Sequence, residues 1–456
     1  MGFDLDSFVS HAWNALRNFS RHRRGSADLR LGSEVVDESP TRRGVYLTHW
    51  RRPEHLAVLG KTGAGKSSLL RYLCEQDIRR GRSFIFFDLH GDATPTLIRL
   101  VAAEERRRGV DLSGRLVIFD PADRHYSVGI NILQVRDHQQ SFVQVADLAQ
   151  ILRDRWRLDT LGVRTEELLR NALHVLIENN LTIVELGPLL VDPLFRTRCL
   201  ARTRNVEARR YFTTRYNQLS DQMAALYREA VLNKVTVFTS DPHFRHLIGQ
   251  VRSTVDLRRV VEGGYWVIFN LDKGRLGEQA ALLGSLLLTT LRHALFARRS
   301  RHLLTVYADE LQNLVAYDAG LESLFSEARK LAVSVTSANQ YLEQFPEHMR
   351  AALFSVGTMM FFQLSARDAG KVSRALGGGR QMAEMIKNLP PREMVVKLWG
   401  KRPQRVRVPD LTPLDAAAAG DLYRRSRARF ARPRTVIEAE INSRTNTLSN
   451  SLDDWE

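Results

Sequence analysis

The sequence contains little cysteine and no apolar run long enough to cross a bilayer. Only Cys74 and Cys199 occur in 456 residues, and their separation suits neither a metal site nor a disulfide framework. We therefore expect both thiols to be reduced and structural, in a cytoplasmic protein. The most apolar stretch, residues 280–291, is shorter than the roughly 20 residues of a membrane-spanning helix. It predicts a helix packed under a sheet, and no secretory signal is recognisable.

Positive charge, in contrast, is present in excess. Lysine and arginine number 67 against 51 aspartates and glutamates, which gives a net charge of +16 and a pI near 10.2. Such a balance favours a polyanionic partner, either nucleic acid or an anionic membrane surface. The densest basic cluster spans residues 424–434. We interpret it as a contact for DNA or acidic membrane, with a solvated helix face as the alternative.

A phosphate-binding motif, G-x-x-x-x-G-K-S, occupies residues 60–67. It follows the apolar run Leu56–Leu59 and precedes a stretch that suits a helix, which is the order that the motif requires. The glycines let backbone N–H groups surround an anion, and the helix N-terminus adds positive potential. Lys66 is expected to reach the β- and γ-phosphates, and Ser67 to bind Mg²⁺. The predicted nucleotide-binding residues are Gly60, Lys61, Thr62, Gly63, Ala64, Gly65, Lys66, Ser67 and Ser68.

The second half of such a site needs an acidic residue at the end of a neighbouring strand. Three apolar runs end in aspartate, at Asp88, Asp120 and Asp309, and only the third is followed directly by another carboxylate, Glu310. We therefore predict that Asp309 binds the metal with Ser67 and that Glu310 polarises the attacking water as general base. Asp88 is a candidate for a secondary role in the catalytic crevice. The alternative for Asp88 and Asp120, preferred for Asp120, is an aspartate that caps the next turn.

Two further residues suggest a motor. Gln340 follows the strand predicted at residues 333–337, where its amide could hydrogen-bond the γ-phosphate or the attacking water. Arg329 lies on the preceding helix, where it could reach a neighbouring subunit's γ-phosphate and stabilise the charge of the transition state. The alternative is a surface arginine and a strand-end amide that make only local bonds.

Alternating apolar strands and helices begin near residue 46 and predict an α/β protein whose mostly parallel sheet is covered by helices on both faces. Strand signals vanish between residues 137 and 250, which we interpret as an inserted all-α subdomain. It separates the parts of the sheet domain at residues 46–136 and 251–410. Residues 411–456 are expected to form a basic C-terminal tail, with an arginine-rich helix followed by a disordered end, where Trp455 is a candidate docking tag.

Residues 1–45 are predicted to form an amphipathic helix followed by a polar linker. Apolar residues recur near helical spacing between positions 3 and 19, and a basic run follows at residues 21–24. This combination suits an anchor for a membrane surface or a partner, peripheral at the inner membrane. The alternative is a helix that docks on its own domain.

The order of these motifs resembles the HerA–FtsK group of ring-forming ATPases and, within it, the type IV coupling proteins of bacterial conjugation. The resemblance covers roughly residues 46–409. It is carried by residues 60–67, 88–92 and 309–313, by the block from 327 to 340, and by residues 361–369. It implies a RecA-like motor domain, a hexameric ring and DNA threaded through a central channel. By the same resemblance, Lys66, Ser67, Asp309 and Glu310 form the catalytic core, Gln340 is the sensor, and Arg329 or, less directly, Arg367 contacts the neighbouring subunit.

We therefore expect a P-loop ATPase that uses ATP and Mg²⁺ to translocate DNA in conjugative transfer or type IV secretion. Its expected partners are DNA, further copies of the chain, and a membrane-associated secretion channel or DNA-processing protein. Residues 272–275 form a candidate pore loop or an exposed basic turn. One rival function is a secretion-type ATPase that moves proteins. Another is an adaptor that binds nucleotide without turnover, against which the general base Glu310 argues. An N-K-x-D element that would read guanine is absent, so a GTPase is not expected.

Overall fold

A single large β-sheet forms the centre of the protein. The computed structural model describes residues 28–135, 138–156, 163–315, 321–344, 347–411 and 417–445. Eleven strands of these ranges pair in the order β2-β1-β12-β11-β10-β3-β9-β8-β4-β7-β5, and β13 pairs with β6 separately. The strands are β1 (Leu29–Val36), β2 (Ser39–Leu47), β3 (Leu56–Leu59), β4 (Ser83–Asp88), β5 (Leu116–Phe119), β6 (Tyr126–Val128), β7 (Trp266–Asn270), β8 (Leu304–Asp309), β9 (Val333–Asn339), β10 (Thr358–Phe361), β11 (Glu393–Leu398), β12 (Gln404–Arg407) and β13 (Ala431–Pro433).

The strands from β10 to β5 in this order are all parallel, whereas β11, β12, β1 and β2 extend the sheet in antiparallel fashion. Most of the parallel strands are almost continuously apolar because helices bury both of their faces, although β9 also buries polar residues such as Ser334 and Thr336. Phe84, Phe87 and Trp266, for example, are fully enclosed. The prediction of a mostly parallel sheet covered on both faces is confirmed.

Helices connect and cover the strands. They are α1 (Lys66–Arg79), α2 (Ala93–Arg108), α3 (His138–Trp156), α4 (Val163–Glu178), α5 (Leu186–Val191), α6 (Pro193–Arg202), α7 (Val206–Thr214), α8 (Asp221–Thr239), α9 (Pro242–Ile248), α10 (Leu257–Glu262), α11 (Lys273–Leu276), α12 (Gln279–Phe296), α13 (Leu311–Val315), α14 (Leu321–Glu327), α15 (Glu347–Phe354), α16 (Ala366–Ala375), α17 (Arg380–Lys387), α18 (Ala417–Phe430) and α19 (Arg434–Thr445). The apolar run at residues 280–291 lies in α12, buried under the sheet as expected. Among the described residues, no helix combines the length and the apolar character that crossing a bilayer requires.

The described chain between β6 and β7 consists of helices and short 3₁₀ turns. Most of its buried apolar side chains belong to the same cluster as one face of the sheet, a cluster that contains Leu173 and Phe212 together with Phe269 and Leu286. The helical segment therefore packs on the motor domain through a shared core. Its division into a subdomain at residues 137–250 stays a proposal.

The prediction of a polar linker before residue 46 is wrong from Asp28 onward. The segment forms the hairpin of β1 and β2, whose turn places Asp37 and Glu38 at φ angles of 48° and 63°. Leu29 and Leu31 are fully buried although most of their neighbours are polar. An edge hairpin with one solvated face carries few apolar residues, which is why it resembled a linker. The predicted helix and basic run at residues 3–24 lie outside the described residues.

The predicted arginine-rich helix is present as α18, but the segment is not a free tail, because α18, β13 and α19 pack on the rest of the molecule. Arg425 pairs with Glu105 at 2.5 Å, and Arg429 pairs with Asp111 at 2.8 Å. The arginines of residues 424–434 all have carboxylate or carbonyl partners within the chain: Arg424, Arg425, Arg427, Arg429, Arg432 and Arg434. The cluster therefore fastens the C-terminal helices to the sheet domain. Trp455 lies outside the described residues.

Candidate nucleotide site

The phosphate-binding motif forms the expected turn between β3 and α1. Gly63 and Gly65 have φ angles of 77° and 115°, which favour glycine. A Cβ atom at Gly65 would lie 2.9 Å from the Cα of Arg392, and one at Gly60 would lie 2.6 Å from the Cβ of Phe362. Close backbone approach therefore requires glycine at both positions. The first N–H groups of a helix have no partner within it, so the start of α1, directly after the turn, suits an anion.

Lys66 is the first residue of α1, and its side chain folds back over the motif. Its Nζ donates to the carbonyl oxygens of Gly60 at 2.7 Å and Lys61 at 3.1 Å. Burial lowers the pKa of Lys66, while the charges of Asp309 and Glu310 raise it. The ammonium is therefore held between the turn and the acidic strand.

Asp309 ends β8 and contacts the P-loop helix directly. Ser67 Oγ donates to Asp309 Oδ2 at 2.8 Å, so the two predicted metal ligands are adjacent. Burial raises the pKa of Asp309, and the hydrogen bond from Ser67 lowers it. A hydroxyl and a carboxylate are the hard oxygen ligands that Mg²⁺ takes, usually together with phosphate oxygens and waters. Within the described ranges no cluster of three histidine, cysteine or acidic residues could hold a metal.

Glu310 lies beside Asp309 in a left-handed conformation, with a φ angle of 58°. It is 5% exposed, and its Oε1 accepts a hydrogen bond from Gln340 Nε2 at 3.0 Å. The predicted general base and the predicted sensor are thus in contact. Its other oxygen, Oε2, accepts a hydrogen bond from Gln312, a residue to which the sequence analysis gave no role.

The aspartates that end the other two strands make turn contacts. Asp88 Oδ1 accepts from the N–H of Gly91 at 2.9 Å, and Oδ2 accepts from both the N–H and the hydroxyl of Thr94. Asp120 Oδ1 accepts from the N–H of Ala122 at 3.1 Å. Both sets of hydrogen bonds are those expected of an aspartate that caps the turn after its strand.

Arg329 lies far from the P-loop of its own chain. It sits in a 3₁₀ turn, Ala328–Leu331, just before β9, whereas Gln340 follows the other end of that strand. Seven residues of extended strand separate the two ends by roughly 23 Å. Arg329 is exposed and pairs loosely with Glu54, at 3.4 Å between Nη2 and Oε1.

Arg367 and the candidate pore loop at residues 272–275 make contacts within their own chain. Arg367, at the start of α16, pairs with Glu343 at 2.8 Å. The candidate pore loop forms α11, where Asp272 caps the turn and Arg275 donates to the carbonyl oxygen of Ala122 at 2.7 Å. Lys273 remains exposed there, so the segment has the form of an exposed basic turn.

Part of the chain matches a known protein family. Residues 52–183 match the model of the central domain of helicase HerA. The resemblance to the HerA–FtsK group is confirmed. No curated protein sequence matches the chain.

Solved structures support the HerA–FtsK-like fold. The bacterial conjugative coupling protein TrwB, lacking 70 N-terminal residues, has a TM-score of 0.56 at 18% identity, over 88% of this chain and 93% of that one. VirB4 of Thermoanaerobacter pseudethanolicus has a TM-score of 0.58 at 15% identity, over 85% and 98%. TrwB in complex with ADP and Mg²⁺ has a TM-score of 0.55 at 19% identity, over 87% and 98%. The predicted RecA-like P-loop architecture is thus confirmed.

Proposed function

We propose that the protein is an ATPase that binds ATP with Mg²⁺ and hydrolyses it. The observation that carries the proposal is the 2.8 Å contact between Ser67 and Asp309, with Glu310 and Gln340 directly beside it. Lys66 and the backbone of residues 60–67 hold the phosphates, and Ser67 and Asp309 hold the metal. Glu310 accepts a proton from the attacking water, and Gln340 orients that water or the γ-phosphate. The complex of TrwB with ADP and Mg²⁺ supports the same ligands for this chain.

The active assembly that we propose is a ring, hexameric by resemblance, in which Arg329 serves a neighbour's site. Arg329 lies at the edge of the sheet opposite its own P-loop, so it cannot act in cis without a large rearrangement. A surface that presents an arginine at one edge and a nucleotide site at the other suits head-to-tail association, which closes into a ring. An exposed guanidinium at such a boundary can stabilise charge in the transition state.

The proposed work of this motor is DNA translocation in conjugative transfer or type IV secretion. The net charge of +16 and the likeness to the coupling protein TrwB support it. A second candidate is a secretion-type ATPase that acts on protein. The internal pairing of the arginines at 424–434 favours that candidate, because the densest basic cluster is engaged within the chain.

The test is the steady-state ATPase rate with increasing single- or double-stranded DNA, at two salt concentrations. Stimulation that weakens with salt, and is lost in both Lys66→Ala and Arg329→Ala, would support a ring motor acting on DNA. A rate indifferent to DNA would move the assignment to a protein substrate. Full activity in Lys66→Ala would refute the ATPase itself.

A further inference from the structure

Two amide side chains, on different elements, hold the carboxylate of Glu310. Gln340 follows β9 and donates to Oε1 at 3.0 Å, and Gln312 lies in α13 and donates to Oε2. We call Glu310, Gln312 and Gln340 the amide clamp. Each carboxylate oxygen has two lone pairs, so each keeps one acceptor site beyond the clamp.

The backbone conformation of Glu310 makes the clamp possible. Side chains two residues apart do not face each other on a regular helix. The left-handed φ angle of 58° at Glu310 breaks the regular path between β8 and α13. Its N–H donates to the carbonyl oxygen of Ala338 at 2.9 Å, which fixes this turn to β9. A non-glycine residue in the left-handed region is strained, so the rest of the fold must stabilise it here.

The environment of Gln312 fixes which end of its amide meets Glu310. The side chain is 9% exposed, and its Oε1 atom is buried and accepts no hydrogen bond from the described residues. Turning the amide over would bring Oε1 against a carboxylate oxygen, where two acceptors repel each other. The N–H bond to Glu310 is therefore the contact that offsets the burial of this amide.

We propose that Gln312 is a positioning residue that anchors Oε2 of Glu310, while Gln340 is a releasable partner of Oε1. The inference rests on the proposed ATPase function, in which Gln340 can turn to the γ-phosphate. When it does so, Oε1 becomes free to take a proton from water, whose oxygen bonds to the γ-phosphorus as the bond to the leaving ADP oxygen breaks. Gln312 keeps the carboxylate of Glu310 in its orientation while Gln340 turns to the γ-phosphate.

The direct test replaces Gln312 by leucine, which is similar in size and lacks the N–H group. Because orientation matters in the chemical step and not in nucleotide binding, kcat should fall about 10- to 100-fold. KM for ATP and the affinity for ADP should change less than about twofold. Gln312→Asn, whose shorter amide falls short of Glu310, should show the same pattern. Asn313→Leu, on the same short helix and outside the clamp, is the matched control and should keep the wild-type rate.

A double mutant separates this inference from the proposed function. If Gln312 acts only through Glu310, Gln312→Leu should cause no further loss in a Glu310→Gln background. Wild-type activity in Glu310→Gln alone would refute the general base and hence the proposed function. If Glu310→Gln is inactive but both Gln312 variants keep the wild-type kcat, only the amide clamp is overturned. Loss of ADP affinity in parallel with kcat would overturn it too, because that would indicate a structural role.

Discussion

The parallel strands end together on one side of the sheet, the carboxyl edge, and begin together on the other, the amino edge. The residues at these two edges differ in how their polar groups are arranged. At the carboxyl edge, Ser67, Asp309 and Gln340 bring polar atoms together around a place for nucleotide. At the amino edge, polar groups form hydrogen bonds and ion pairs with each other. There, Arg52 pairs with Asp77 at 2.6 and 2.7 Å, and both are buried with Tyr307.

The amino edge nevertheless connects to the site at the other edge. Asp77 lies on α1, which begins at Lys66, and Tyr307 lies on β8, two residues before Asp309. Arg52 shares the short 3₁₀ turn His49–Glu54 with the residue that contacts Arg329. The comparison teaches that one edge gathers the residues that we propose for catalysis, while the other holds the P-loop helix, the acidic strand and the arginine in fixed relative positions.

The largest expected effect concerns the carboxyl edge. Glu310→Gln should lower kcat by about 10³-fold, because general base catalysis typically contributes 10²–10⁴-fold. The size of the side chain is preserved, so ADP binding measured by calorimetry should stay close to wild type. Loss of ADP binding in this variant would show that Glu310 holds the nucleotide rather than activating water.

At the amino edge, Arg329→Ala should lower kcat by about 10³-fold in the assembled protein, as arginine fingers contribute 10³–10⁵-fold. The matched control is Arg367→Ala, whose arginine pairs with Glu343, and we expect less than a tenfold loss there. The ATPase rates of both variants, measured at the same protein concentration, decide between the two arginines. A larger loss in Arg367→Ala would reverse their assignment.

Removal of one charge from the buried pair at the amino edge should destabilise the fold. Asp77→Asn leaves Arg52 buried without its counter-charge, which costs about 3–5 kcal/mol in the free energy of unfolding. Asp421→Asn, which removes an exposed carboxylate that pairs with Arg424 and Arg425, should leave the unfolding midpoint close to that of the wild type. Urea unfolding of both variants measures the difference, and equal midpoints would contradict the framing role of the pair.

The smallest expected effect is a pH dependence of stability that arises from His55, also at the amino edge. Its Nδ1 accepts from the N–H of Val335, its Nε2 bonds to the carbonyl oxygen of Phe325, and burial lowers its pKa to about 4. The unfolded chain therefore binds more protons below pH 6.5. Stability should fall by about 2 kcal/mol between pH 7 and pH 5.

The matched variant for this effect is His55→Gln, which can donate and accept in the same place but does not titrate. Urea unfolding at both pH values should show a smaller pH-dependent loss in the variant than in the wild type. An equal loss in both proteins would assign the pH dependence to other groups.

The sequence predicted the parts of the molecule whose local pattern reflects their burial. Most of the parallel strands are apolar because both faces are covered, and the P-loop glycines are required by close contacts to Phe362 and Arg392. The contact between Ser67 and Asp309 followed from the rule that parallel strands end at one edge. Gln340 was placed beside the site on the same reasoning.

Other features depend on tertiary contacts that no local pattern reports. The hairpin of β1 and β2 is solvated on one face, so its polar residues resembled a linker. The arginines of α18 resembled a nucleic-acid contact because several of their partners, such as Glu105, lie more than 300 residues away. Gln312 gained its role only from the left-handed backbone at Glu310.

A nucleotide site shared between neighbouring subunits can be tested by complementation between two inactive variants, Lys66→Ala and Arg329→Ala, mixed after dissociation and reassembly. If each site takes its P-loop from one subunit and its arginine from the next, the mixture contains intact sites. Random equal mixing should then restore about a quarter of the wild-type rate, since one site in four joins the two intact partners. A mixture no more active than the sum of its parts would contradict a nucleotide site shared between the two edges of neighbouring subunits.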